Sequence, residues 1–396
     1  MEGLILKVIW FGLFTEIIIL ALFKSLVIDF ESMAFLAVFL HVFFTIMVLI
    51  GLKVERKAIF LGAFLARVIF LIWDLYARNI FKLPNSGADS EMFYNQAVIV
   101  SENLWMLNQN IPGELYAKIN GVIFYLIGPQ RMVGQYINVL LGLSTVYIVN
   151  KTLLLLKINS STLKKILILV AFLPNSLIMS AVFLREMLPT FFVALSIYYF
   201  VKWFKINNFI DILLSFVTIG FASTFHSGVI GVVIGYAFVF LFFQREKNEY
   251  RFTIRTVLSF VLLLGIVSIG VTAFGEYIFS KFGNIDGIDN IYLVANYREG
   301  GSAYLTGIAI KNPLELIIFG PIKGFYFIAS PLPINWRNLG DILTFLFDSV
   351  LYLGAFIYFI KNRKIFGDRK ALAIGLIVMI IGAVMIFGIG VSNAGT

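Results

Sequence analysis

The chain has 396 residues, 60% apolar and only 13% charged, with a formal net charge of +9. Soluble globules run near 45–50% apolar and about 25% charged, and packing cannot hide this excess, because even a large domain keeps a polar shell. A water-soluble enzyme, a disordered chain and a fibrous chain are excluded. With no Cys and two His, disulfides, thiolate metal sites and Cys nucleophiles are excluded too, and a His-rich metal centre lacks its ligands.

A helix needs about 20 apolar residues to cross the hydrocarbon core. Spans are read at 4–28, 33–52, 58–80, 132–150, 164–184, 187–201, 209–225, 228–243, 256–279, 342–360 and 371–391, about eleven crossings. The first begins almost at Met1 without a small-residue cleavage site, so it reads as an uncleaved anchor. Pro174 is expected to kink the fifth span. Pro189 falls in the first turn of the sixth, where a missing N–H costs little. The spans 187–201, 209–225 and 228–243 are short, and are expected to tilt little or to sit inside the bundle.

The connections 53–57, 151–165, 202–208, 245–255 and 361–370 are dense in Lys and Arg. Placing them inside gives a cytoplasmic N-terminus and an outer C-terminus in the cell membrane. Two long segments, 81–131 and 280–341, then lie outside. Residues 314–334 are apolar enough to span, but Pro313, Gly320, Pro321, Gly324, Pro331 and Pro333 interrupt them. A re-entrant or interfacial hairpin there keeps 361–370 inside. Irregular backbone at membrane depth survives only in protein or beside a wet cavity, so the hairpin is a candidate wall of a site. The positive charge is thus topological, with anionic-lipid contact, and nucleic acid is not indicated. The expectation is one integral membrane domain over 1–396, an all-α polytopic transmembrane bundle.

Candidate chemistry gathers on the outer side. Pro84 and Gly87 punctuate a turn, after which Phe93, Ala97, Val100, Leu104 and Leu107 recur at four-three spacing, the pattern of an amphipathic helix lying on the membrane face. Ser86-Gly-Ala-Asp89 reads as a capping box, with Asp89 favouring the helix N-terminus. A carboxylate at the membrane surface also serves as a general base, and both readings can hold. Arg185 and Glu186 occupy a tight turn between two spans, either paired with each other or with Arg185 gripping a phosphate through its planar fork. His226 marks the next outer turn, as a hydrogen-bonded interfacial residue or a member of the site. His41 reads as packed inside the bundle. Arg67, Asp74 and Arg78 share one face of the third span, where Asp74 and Arg78 can pair; a structural network is expected of them and of Glu16 and Lys24. In Asn296-Tyr-Arg298-Glu-Gly300-Gly301-Ser302, two glycines after an Arg suit an anion-binding nest or an ordinary flexible loop. Trp336, beside Arg337 and Asp341, reads as an interface anchor.

Taken together, Ser86-Gly-Ala-Asp-Ser-Glu91, Leu184-Arg-Glu186, Arg298-Glu-Gly-Gly-Ser302, Ser330-Pro-Leu-Pro333 before Trp336, and Val391-Ser-Asn-Ala-Gly395 resemble the polytopic enzymes of bacterial surface-polysaccharide loci: GT-C type glycosyltransferases and Wzy-like repeat-unit polymerases. The resemblance implies a GT-C-like bundle and transfer of a sugar from a polyprenyl-(di)phosphate carrier to a glycan hydroxyl. It implies Asp89 as base with Glu91 as alternate, and Arg185 and Arg298 on the phosphate with Gly300 and Gly301 shaping that site. Glu186, His226, Ser302 and Arg337 are the further substrate-binding candidates. It also implies a chain continuing past Thr396. Asp89 and Glu91 could hold Mg²⁺ or Mn²⁺. A lipid-linked glycan flippase or other transporter would instead rely on Arg67, Asp74 and Glu16. A non-catalytic scaffold would tolerate changes at all of these, and an acyltransferase would rest on His41 or His226.

Overall fold

The computed structural model describes residues 2–24, 29–51, 56–87, 89–111, 114–254, 256–258, 261, 305, 313–337, 339–361 and 370–390. They are nearly all helical, and the chain forms two compact units, Met1–His226 and Ser227–Thr396.

The first unit is built from α1 (Glu2–Leu22), α2 (Phe30–Ile50), α3 (Lys57–Tyr76), α4 (Asp89–Glu102), α5 (Glu114–Ile127), α6 (Arg131–Leu155), α7 (Ser160–Phe172), α8 (Pro174–Ala181), α9 (Met187–Ile206) and α10 (Phe209–Phe225). Helix α6 is its axis. Its apolar stretch is 78% buried, against 33% or less for α1, α2, α3 and α9. The sequence explains the difference: Gly134, Gln135, Asn138, Gly142, Ser144 and Thr145 are all buried. Such residues gain nothing from lipid and let neighbouring backbones approach. Around α6 one apolar core takes Ile9 and Leu13 from α1, Phe60 and Phe64 from α3 and Leu163 and Leu167 from α7. On α1 to α3 the outward positions are large and apolar, Phe11, Phe43 and Ile69 among them.

Pro174 breaks the fifth span as expected, and α7 and α8 meet at 46°. A helix end leaves carbonyls without amide partners. Arg67 takes one of them: its Nη1 donates to Ala171 O at 2.9 Å and to Ala63 O at 3.0 Å, and Nη2 to Ser176 Oγ at 3.0 Å. Gly142 makes the room, since a Cβ there would lie 2.6 Å from Arg67 Nε. His41 is packed as expected, with Nδ1 2.7 Å from the Tyr136 hydroxyl and Nε2 3.0 Å from Ile9 O. Lys24 donates to Tyr125 O at 2.6 Å.

Among the described residues, six helices are long and apolar enough to cross a membrane: Ile5–Leu22, Ser32–Ile50, Lys57–Tyr76, Arg131–Leu155, Met187–Ile206 and Asp341–Lys361. The bent pair α7–α8 makes a seventh. The expected eleven are not reached. Phe209–Phe225 and Gly228–Phe242 are shorter apolar helices, and 17 residues rise only about 26 Å, less than the ~30 Å core. Most of the expected span 256–279 lies outside the described residues.

The second unit holds α11 (Gly231–Phe242), a hairpin of β1 (Phe243–Gln244) and β2 (Glu249–Tyr250), α12 (Pro313–Ala329), α13 (Leu339–Thr344), α14 (Val350–Lys361) and α15 (Lys370–Gly390). The antiparallel hairpin, with Phe243 opposite Tyr250, is a small exception to the all-α expectation. Helices α11 and α15 approach through glycine, and a Cβ on Gly231 would meet Gly382 O at 2.4 Å. Most of the expected re-entrant hairpin over 314–334 is instead one helix, α12, with Pro321 inside it; it ends at Ala329, and a short turn at Pro333–Asn335 follows. Pro313 sits at the first position of α12, where proline is favoured, and a single interior proline removes one backbone bond, which an apolar helix can tolerate without ending. A π-turn, Phe345–Ser349, joins α13 to α14.

Candidate functional site

Helix α3 ends at Tyr76, α6 starts at Arg131 and α9 starts at Met187, and polar side chains link these three ends of the first unit. Asp74, in the last turn of α3, is 1% exposed. Such a carboxylate must be fully hydrogen-bonded. It is: Oδ1 accepts from the Ser86 hydroxyl at 2.5 Å, and Oδ2 from Gln135 Nε2 at 2.6 Å and Arg78 Nη2 at 2.8 Å. The expected Asp74–Arg78 pair is therefore present. Ser86, however, is not the N-cap of α4, because the helix starts three residues later, at Asp89, and the Ser86 hydroxyl donates to Asp74 instead. The turn closes through Ser90, whose Oγ accepts from the Gly87 N–H at 2.9 Å. Gly87 takes φ +78°, which glycine adopts without strain.

Arg78 reaches on to Glu91 Oε1 at 2.6 Å. Arg131 meets both Glu91 oxygens at 2.8 Å and approaches Ser90 Oγ at 3.3 Å. Burial alone would raise the Glu91 carboxyl, but Arg131 and then Arg78, through hydrogen bonds and charge, outweigh it and hold Glu91 below the ordinary carboxylate range. A carboxylate so engaged is a poor base. Beside this network a cavity of about 200 Å3 is lined by Asp74, Leu75, Tyr76, Arg78, Asn79 and Arg131.

Asp89 opens α4 as expected, with Glu91 in the same first turn, where the helix dipole favours negative charge. Its side chain is exposed, and among the described residues no hydrogen bond or ion pair holds the carboxylate. Four residues on, and so on the same face, the Phe93 ring carries the Arg185 guanidinium at 5.7 Å. Arg131 stands 5.4 Å over the next ring, Tyr94. The expected amphipathic stripe is real, with Phe93, Ala97 and Val100 buried, but protein covers it. Phe93 packs with Tyr116 of α5, Phe183, Leu184 and Phe225. Helix α5 was hidden in the expected outer loop 81–131, because Lys118, Asn120 and Gly121 interrupt its apolar run.

Asn138 of α6 fixes the Arg185 turn. Its Nδ2 donates to Leu184 O at 2.8 Å and to Val182 O at 3.1 Å, with the Tyr116 hydroxyl 3.2 Å away. Glu186 stands at the N-cap position of α9, without a capping bond from its side chain. Arg185 Nε is 3.8 Å from Glu186 Oε1, a loose version of the expected self-pair. Burial raises the Glu186 carboxyl most, Arg185 and the backbone oppose this, and the charge of nearby Asp89 raises it further.

The fold thus gathers Asp89, Glu91, Arg185 and Glu186 about the first turns of α4. His226 ends α10 directly after Phe225, a member of the same apolar cluster. Arg337 belongs to the second unit, where it pairs with Asp341 at 3.0 Å, and Trp336 donates to Pro331 O at 3.0 Å. Arg298, Gly300, Gly301 and Ser302 lie outside the described residues. Sequence reasoning missed Arg131, Gln135, Tyr116 and Asn138. The one local signal was the Gly128-Pro-Gln turn that delivers Arg131 to the start of α6. No family model matches the chain, and no curated protein or solved structure does either. Among the described residues there is no group of three acidic or His side chains suited to a metal ion. Glu91 faces two guanidinium groups that repel a cation, so the Asp89–Glu91 pair does not fit Mg²⁺ or Mn²⁺.

Proposed function

We propose that the chain is a polytopic membrane glycosyltransferase or repeat-unit polymerase. It moves a sugar or oligosaccharide from a polyprenyl-(di)phosphate carrier to a glycan hydroxyl on the extracytoplasmic face of the cell membrane. The observation that carries this reading is the Arg185 guanidinium over the Phe93 ring, one helical turn along α4 from the solvent-facing carboxylate of Asp89. Asp89 takes the proton of the acceptor hydroxyl as its oxygen bonds to the anomeric carbon. The bond from that carbon to the carrier phosphate breaks, and the phosphate leaves with the electron pair. General-base help of this kind is worth about 10²–10⁴-fold. Guanidinium groups stabilise the charge gathering on the departing phosphate. Lys57, Lys151, Lys164 and Lys202 fall at the other ends of α3, α6, α7 and α9, which supports placing the Asp89 end outside the cell.

The transporter alternative relied on Arg67, Asp74 and Glu16. The two terminal nitrogens of Arg67 are engaged by Ala63 O, Ala171 O and the Ser176 hydroxyl, and Asp74 by Ser86, Gln135 and Arg78, so both side chains serve structural contacts. The test uses purified protein in nanodiscs with a polyprenyl-diphosphate-linked saccharide as donor. Asp89→Asn is expected to abolish transfer; full activity in that variant would remove Asp89 from the reaction. Labelling that finds position 89 inside the cell would defeat the assigned orientation.

A further inference from the structure

The wall of the 200 Å3 cavity carries two guanidinium groups, Arg78 and Arg131, delivered by α3 and α6 and held by one carboxylate, Glu91. We propose that this cavity binds a phosphate or diphosphate group, and that Glu91 is its resident counter-ion, occupying the two forks until the anion arrives.

Three observations support the assignment. First, two planar forks are the donor set that phosphate oxygens recognise best, and Asn79 lines the same wall. Second, the Nε–H of Arg131 is buried and has no acceptor among the described residues, so one donor is left over after Glu91 is served. Third, the charges balance at rest, Arg78 and Arg131 against Asp74 and Glu91. An entering anion must therefore displace a carboxylate. Asp74 cannot yield, being wholly buried and fastened by Ser86 and Gln135 as well. Glu91 can, because 36% of its side chain is exposed and its partners are the two arginines alone. Identifying the anion as the head of a lipid carrier rests on the function proposed above; the site itself does not.

The test is calorimetric titration of the full chain in detergent micelles at fixed ionic strength. The probes are inorganic pyrophosphate in one arm and farnesyl phosphate in the other. Wild type is expected to bind at least one probe. Arg131→Ala should weaken binding tenfold or more, and Glu91→Gln should tighten it tenfold or more. Misfolding cannot produce tightening, so the second variant is safe against that failure. A response to pyrophosphate alone assigns a soluble anion, and a response to farnesyl phosphate alone a lipid head; either supports the site. Unchanged or weaker binding in Glu91→Gln, wild-type binding in Arg131→Ala, or no binding of either probe would overturn it. Tight binding with no sugar transfer would defeat the proposed function and leave this site standing.

Discussion

Nη1 of Arg131 lies 2.8 Å from each carboxylate oxygen of Glu91, across 40 positions of chain. This contact ties α4 to the start of α6 and so sets where Asp89 stands. Arg131→Ala is expected to cost about 1–3 kcal/mol, toward the lower end because Glu91 is partly exposed. Glu91→Gln costs a similar amount. In the double variant the losses should be less than additive, since the contact between the two residues is already lost in either single variant and is counted in both. Melting temperatures of the four proteins in one detergent measure the coupling, and strict additivity would refute it.

Titration follows from the same pair. The folded pKa of Glu91 lies below its ordinary value of 4.5. Its contribution to stability is therefore fully present above the ordinary value, and is lost as pH falls from there through the folded pKa. Glu186 behaves oppositely. Its folded pKa is raised, so its contribution is greatest in acid and declines as pH rises from the ordinary value through the raised one. Melting curves taken across pH for Glu91→Gln and Glu186→Gln should diverge from wild type in opposite senses.

Asn138→Leu keeps the branched shape of the side chain, though with more bulk, and removes its amide. The Leu184 and Val182 carbonyls then lose a buried donor, at about 1–3 kcal/mol each if left unsatisfied. The Arg185 turn should loosen. Faster hydrogen exchange over 182–186, with α4 unaffected, is the expected result; an unchanged rate would show that the turn holds itself.

Asp89→Asn should leave the melting temperature nearly unchanged, within about 0.5 kcal/mol, because no hydrogen bond or ion pair among the described residues holds its carboxylate. Transfer should still fall by about 10²–10⁴-fold. A large loss of stability would instead mark Asp89 as a structural cap.

Gly142→Ala places a methyl group where Arg67 Nε would be 2.6 Å away and Ser180 Cβ 3.0 Å. Both neighbours are buried and the guanidinium is pinned by three acceptors, so overpacking of about 1–3 kcal/mol is expected, read as a lowered melting temperature.

What the sequence disclosed was local. Phe93, Ala97 and Val100 announced α4 by their spacing, Pro174 announced the break in the fifth span, and Asp74 with Arg78 announced a pair one turn apart. What it concealed was long-range. Gln135 reaches Asp74 across 61 positions and Asn138 reaches Leu184 across 46, and no periodicity encodes such meetings. The amphipathic stripe of α4 was visible, but not whether lipid or protein covered it. For the segments 209–225 and 228–243 counting apolar residues was not enough, because helix length decides whether a segment can cross.

The bend at Pro174 and the charge of Arg67 have one further consequence. A straight helix in place of α7 and α8 would return its carbonyls to their own amides and strand a cation in an oily interior. A bent one without Arg67 would leave bare carbonyls there instead. The two residues, 107 positions apart by their numbering, are thus interlocked like key and ward. A chain that lost one of them would lose the reason for keeping the other.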